Sequence, residues 1–96
     1  MVVLLKKAAD SYDLGPLTWG IWEHLADPGE ILHLVVVCGA DPNFHKAIIA
    51  GRPDHNWQIA PDGTVTPSIL IPPIELIDGT MTPEWHEFVK LEDWKP

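Results

Sequence analysis

Apolar and polar positions along this chain alternate in short bursts. Runs rich in Val, Ile, Leu and Trp are punctuated throughout by ten Pro and seven Gly. That rhythm is the pattern of short strands joined by turns. "VVLL" near the start predicts a first strand, and "EILHLVVVC" predicts the strongest one. The latter is Val-rich and almost continuously apolar, as a strand covered on both faces would be. "HKAIIAG" predicts a short strand, and "WQIAPDGTVTPSILI" a hairpin in which Trp57, Ile59 and Val65 flank a "PDG" turn. Two prolines then end the strand at a sheet edge, because proline cannot donate to a ladder. "ADPG" and "IELIDGTM" each predict a turn, and "RPDHN" a polar loop.

Three stretches pull two ways. "AADSYDLGP" has room for a turn of helix before its Gly-Pro break. In "LTWGIWEHL", Trp19, Ile21 and Glu23 alternate with Gly20, Trp22 and His24, so both strand faces are partly apolar. In residues 82–92, Thr82 as N-cap and Pro83 at the first helical position signal a helix. Against this, His86, Phe88 and Lys90 share one face of a strand. The chain reads as one domain, mainly β: a small antiparallel sandwich or a partly open barrel with room for one short helix. An α+β arrangement is the alternative.

Composition narrows the function classes. The 96 residues carry 46% hydrophobic positions, enough for a packed core, and 21% charged ones, too few for a disordered chain. Net charge is −8, with Lys and Arg scattered, which argues against a phosphate-binding surface and so against a nucleic-acid partner. No run approaches the apolar length of a membrane span. The start "MVVLLKK" is too short for a signal peptide and puts its lysines after its apolar run. One cysteine excludes an internal disulfide and suits a reducing compartment, so a cytoplasmic protein is expected.

"CGADPNFHK" holds the residues that look most like chemistry. Cys38, Asp41 and His45, with His86 from a facing strand, supply the four ligand types that a zinc ion takes. The competing reading is a buried thiol beside an Asp-Pro-Asn turn. His33 reads as a hydrogen-bonded core residue, His24 as surface, and His55 beside Asp54 as a loop histidine able to titrate near neutrality. A Ser68–His86–Asp93 triad can be written down, but a triad is recognised by geometry, and no nucleophile elbow surrounds Ser68. No catalytic residue is expected. Five Trp is a high count for this length. Most serve as core or edge covers, and an exposed one would anchor a protein interface.

Residues 38 to 94 resemble a family of small phage and bacterial proteins that carry a domain of unknown function, some labelled "ammonia monooxygenase". Thr64, Thr66, Pro67, Ser68 and Ile69 match its "T-x-(S/T)-P-S-I" motif, and Trp85, His86 and Phe88 match a following Trp-His-x-aromatic strand. Cys38 and His45 fit its Cys-x-x-Cys…His opening, although Asp41 stands where the second cysteine would be. The resemblance implies a final hairpin in place of a final helix, and a phage accessory protein in a bacterial cytoplasm. Such a protein would act without catalysis by binding a host or phage protein. Trp22, Glu23, Glu92, Asp93 and Trp94 are the expected contact residues. Two alternatives stand beside it: a virion or assembly component, for which a homo-oligomer is admitted, and a domain holding a structural or hydrolytic zinc.

Overall fold

The computed structural model describes residues 2–26, 29–51 and 57–95. Among these there are eight strands and no helix: β1 (Val2–Lys7), β2 (Thr18–Ala26), β3 (Glu30–Cys38), β4 (Lys46–Ala50), β5 (Gln58–Ile59), β6 (Val65–Thr66), β7 (Ile69–Ile71) and β8 (Trp85–Leu91). Six form one sheet in the order β4-β3-β2-β1-β8-β7, and β5 and β6 form a small hairpin. The mainly β, partly open barrel expected from the pattern is the fold. Residues 82–92 carry a strand where a helix start was also legible, and "AADSYDLGP" contains turns and no helix. No helix among the described residues is long and apolar enough to cross a membrane.

The expectation of antiparallel pairing needs one correction. β1 runs parallel to both neighbours, with Val2 opposite Phe88 and Leu5 opposite Leu91 on one side, and Lys6 opposite Thr18 on the other. Parallel neighbours need a crossover. Residues 8–17 provide it without a helix, passing over the outer face of the sheet.

That crossover creates a second apolar layer. The main core lies inside the curve of the sheet and contains Leu5, Trp19, Val35, Val37, Ile49, Ile69, Val89 and Leu91. Outside it, Leu14 from the crossover packs on Leu34, Val36 and Cys38. Leu34 to Cys38 are therefore buried on both faces of β3, which accounts for the continuous apolar run. The crossover also satisfies the unpaired edge of β2. Ser11 Oγ accepts the Ile21 N–H at 3.3 Å, and the Tyr12 hydroxyl oxygen accepts the Glu23 N–H at 3.0 Å.

Trp57 ties the two open edges of the sheet together. Its backbone N–H donates to Ile49 O on β4 at 2.8 Å. Its indole N–H donates to Ser68 O, at the entry to β7, at 3.2 Å. The β5–β6 hairpin then rests on the end of β8, where Leu91 N donates to Gly63 O at 2.8 Å. Gly63 has φ +92°, and a Cβ there would lie 2.3 Å from Leu91 O, so the "PDG" turn admits no side chain at its third position.

Strand alternation separates Leu5, fully buried, from Leu4, 48% exposed. Leu5→Ala is expected to destabilise by about 2–5 kcal/mol through lost burial and a cavity. Leu4→Ala should cost only about 0.5 kcal/mol. Urea unfolding of both variants checks this, and equal losses would refute the register of β1.

Candidate functional site

The "CGADPNFHK" stretch is a tight, self-bonded turn between β3 and β4. Gly39 N donates to His45 O at 2.9 Å, and Phe44 N and His45 N both donate to Asp41 O, at 3.2 and 2.9 Å. The Asp41 carboxylate accepts the Asn43 N–H at 2.9 Å, an Asx turn that suits the Asp-Pro-Asn sequence. Gly39 is buried, and a Cβ there would sit 2.6 Å from the Trp85 ring. Only glycine lets that indole lie against the backbone.

His45 is the centre of this turn and is 2% exposed. Asp41 N donates to its Nδ1 at 3.0 Å, which puts the ring hydrogen on Nε2. Nε2–H then donates to Pro83 O at 3.0 Å. The ring also stacks on Trp85, with centroids 6.1 Å apart. Both nitrogens are therefore occupied by backbone groups, and His45 ties the turn to the start of β8. Binding a metal would require giving up one of those bonds.

The other expected ligands do not gather round it. Cys38 is fully buried in the outer apolar layer, its Sγ 3.5 Å from Gly39 O. Burial pushes its thiol pKa up, with Asp41 adding to the rise and Lys46 opposing it. His86 is exposed on β8 and bonds elsewhere. Among the described residues no three His, Cys, Asp or Glu side chains form a group able to hold a metal ion, so the Cys38–Asp41–His45–His86 set is not assembled.

One element of the written triad does form. Ser68 Oγ lies 2.7 Å from His86 Nε2. Asp93 is on the turn beyond the far end of β8, about 15–20 Å from His86 at the rise of a strand. Among the described residues His86 has no carboxylate partner. A triad needs that third group to orient the imidazole and a water-excluding pocket with oxyanion donors. This pair sits on an open sheet face, and its observed role is to join β8 to the entry of β7.

The expected contact residues divide between two layers. Trp94 is half-buried and packs on Trp19, with centroids 5.6 Å apart, as part of the inner core. Its indole Nε1 is buried and has no partner among the described residues. Glu92 and Asp93 form the turn beside it; Glu92 N donates to Leu5 O at 2.8 Å, and Glu92 O accepts the Trp19 indole N–H at 2.9 Å. Trp22 lies on the outer layer, stacked on Tyr12 at 6.0 Å, its indole N–H donating to Ser11 O. Glu23 is exposed on β2. The five residues thus share no single face. Trp19 and Trp85 are buried and Trp22, Trp57 and Trp94 half-buried, as core and edge covers. His24 is exposed, as expected. His33 is also exposed, on the part of the β2–β3 hairpin that projects past the core, and is not the core residue anticipated. Arg52, Asp54 and His55 lie outside the described residues.

Sequence reasoning did not single out where exposed apolar side chains collect. Val2 and Leu4 on β1, Phe88 on β8 and Leu70 on β7 all point outward, each about half exposed. Register makes them neighbours: Val2 is opposite Phe88, and Leu70 is opposite His86, two residues along the same face. A second collection, Ile74, Leu76, Ile77 and Met81, lies on the loop from Pro72 to Pro83. The alternation of "VVLLKK" and "WHEFVK" contained the first signal, but it specifies the outer face only once the partner strands are known.

If His45 is a tie, His45→Phe should keep the stacking on Trp85 while stranding the Asp41 N–H and Pro83 O. The expected loss is about 1–3 kcal/mol for two broken hydrogen bonds whose backbone partners are only partly buried. Chelator should leave the melting temperature unchanged; a drop restored by zinc would revive the metal reading. Cys38 should alkylate far more slowly in the native protein than in urea, because the thiolate is the nucleophile.

Comparison with protein-family models, with curated proteins and with solved structures gives no match to this chain.

Proposed function

We propose that the chain is a non-catalytic binding protein whose target is another protein. The observation that carries this reading is the outward row Val2, Leu4, Phe88 and Leu70 on adjacent strands. A sheet face turned to water ordinarily carries polar side chains. A contiguous apolar patch on such a face marks an interaction surface. The aromatic ring of Phe88, at the middle of the patch, has the character of an interface anchor.

Catalysis has less support. The Ser68–His86 contact lacks an orienting acid, and His45 spends both nitrogens on backbone groups. A nucleic-acid target fits poorly with a net charge of −8. The resemblance noted for residues 38 to 94 suggests the setting, a phage accessory protein in a bacterial cytoplasm with a host or phage protein as target.

Phe88→Asp tests the reading. Phe88 is 54% exposed, so the variant should melt within a few degrees of the parent. Full-length protein purified from its native cells should bring down a protein at fixed stoichiometry, and Phe88→Asp should lose it. An identical set of co-purifying proteins with parent and variant would contradict the reading, as would the absence of any.

A further inference from the structure

The loop between β7 and β8, from Pro72 to Pro83, is unusual in two respects. It is long for a connection between paired strands, and such loops are commonly functional. It is also internally fastened. Ile74 N donates to Thr82 Oγ1 at 2.7 Å, and Thr82 N donates to Ile74 O at 2.9 Å, closing the neck. Glu75 and Met81 bridge above that, and Leu76 N donates to Thr80 O at 2.7 Å. At the tip Gly79 takes φ +88° and donates to Leu76 O at 2.9 Å. The Asp78 carboxylate accepts both the N–H and the hydroxyl of Thr80, at 3.0 and 2.6 Å. Those two bonds hold the Asp78 carboxyl below its ordinary value, the hydroxyl contributing most, so it stays ionised.

This fastened loop carries apolar side chains into water. Ile77 at the tip is fully exposed, and Ile74 and Met81 are more than half exposed. Among the described residues they join neither apolar cluster. A loop that has already lost its conformational freedom gives up less on binding than a flexible one. An aliphatic side chain at the tip of such a loop has the form of a plug.

Charge selects what the plug can enter. Between residues 53 and 89 the sequence contains no Lys or Arg. Glu75 and Asp78 lie within the loop and Glu84 at its base, all exposed. That pattern repels a nucleic acid, an anionic bilayer and, in a chain of net charge −8, a second copy of itself. It is complementary to a cationic rim.

We propose that the 72–83 loop is a preformed plug for a protein partner, with Ile77 seated in an apolar socket and Glu75 and Asp78 paired with Lys or Arg at its rim. The proposal rests on the protein-binding reading and adds a second, separate contact whose chemistry is specified.

The test places a photo-crosslinking side chain, p-benzoylphenylalanine, in the full chain at position 77 and, in a second protein, at position 88. Each is irradiated in the native cells and the linked peptides are sequenced. The plug is supported if position 77 links to an apolar peptide flanked by Lys or Arg. In addition, Glu75→Gln with Asp78→Asn, which keeps the Thr80 bonds, should lower the yield at least about fivefold, as lost charge complementarity would. Links from position 77 to lipid, to a second copy or to an acidic surface overturn it, as does no link at all. A protein link from position 88 with none from 77 defeats the plug and leaves the binding reading standing. No protein link from either position defeats both.

Discussion

The parallel insertion of β1 between β8 and β2 is the constraint on which the rest depends. Without it the six-stranded sheet would divide into a β2–β3–β4 meander and a β7–β8 pair. With it Leu5 reaches the centre of one core, and its carbonyl oxygen accepts the Glu92 N–H that brings Trp94 against Trp19. The same insertion forces a crossover. Having to pass over the sheet, residues 8–17 bury Leu14 on the outer face of β3 and cap the free edge of β2 with two hydroxyls. One pairing choice thus generates both apolar layers. An uncapped edge would be a template for unwanted strand addition.

The residues that looked chemical serve this architecture. His45, Trp85 and Gly39 fit together at the end of β3 so that the turn after Cys38 is anchored to the entry of β8. A buried imidazole with both nitrogens engaged satisfies its own polar groups and two from the backbone. Ser68 and His86 similarly span β7 and β8. What remains unspent is apolar, and it includes the outer row on β1, β8 and β7 and the tip of the 72–83 loop. Burying those side chains is the free energy the molecule holds in reserve.

Much of this was legible in the sequence. Turn chemistry placed the Asp-Gly turns at residues 62–63 and 78–79 and the Pro pair at the edge of β7. The continuous apolar run announced a strand covered on both sides. Strand direction was not legible, because β1 has the same alternation whether its neighbours run with it or against it. The metal set was listed from residue types, and types do not say that Asp41 N–H already occupies a nitrogen of His45. The two exposed tryptophans expected at an interface turned out to be covers, since Tyr12 and Trp19 that shield them are distant in sequence or spaced without period. Outward apolar positions were hidden for the same reason: a strand reveals two faces, and only its partners decide which is wet.

The most direct measurement is the set of cross-strand nuclear Overhauser contacts of β1. The account predicts contacts joining Val2 to Phe88 and Leu4 to Lys90 on one side, and Lys6 to Thr18 on the other, in parallel register. Contacts in an antiparallel register, or shifted by one residue, would contradict it. Such a shift would turn Val3 and Leu5 to the outside and Val2 and Leu4 to the core, removing both the crossover layer and the apolar row on which the functional reading stands.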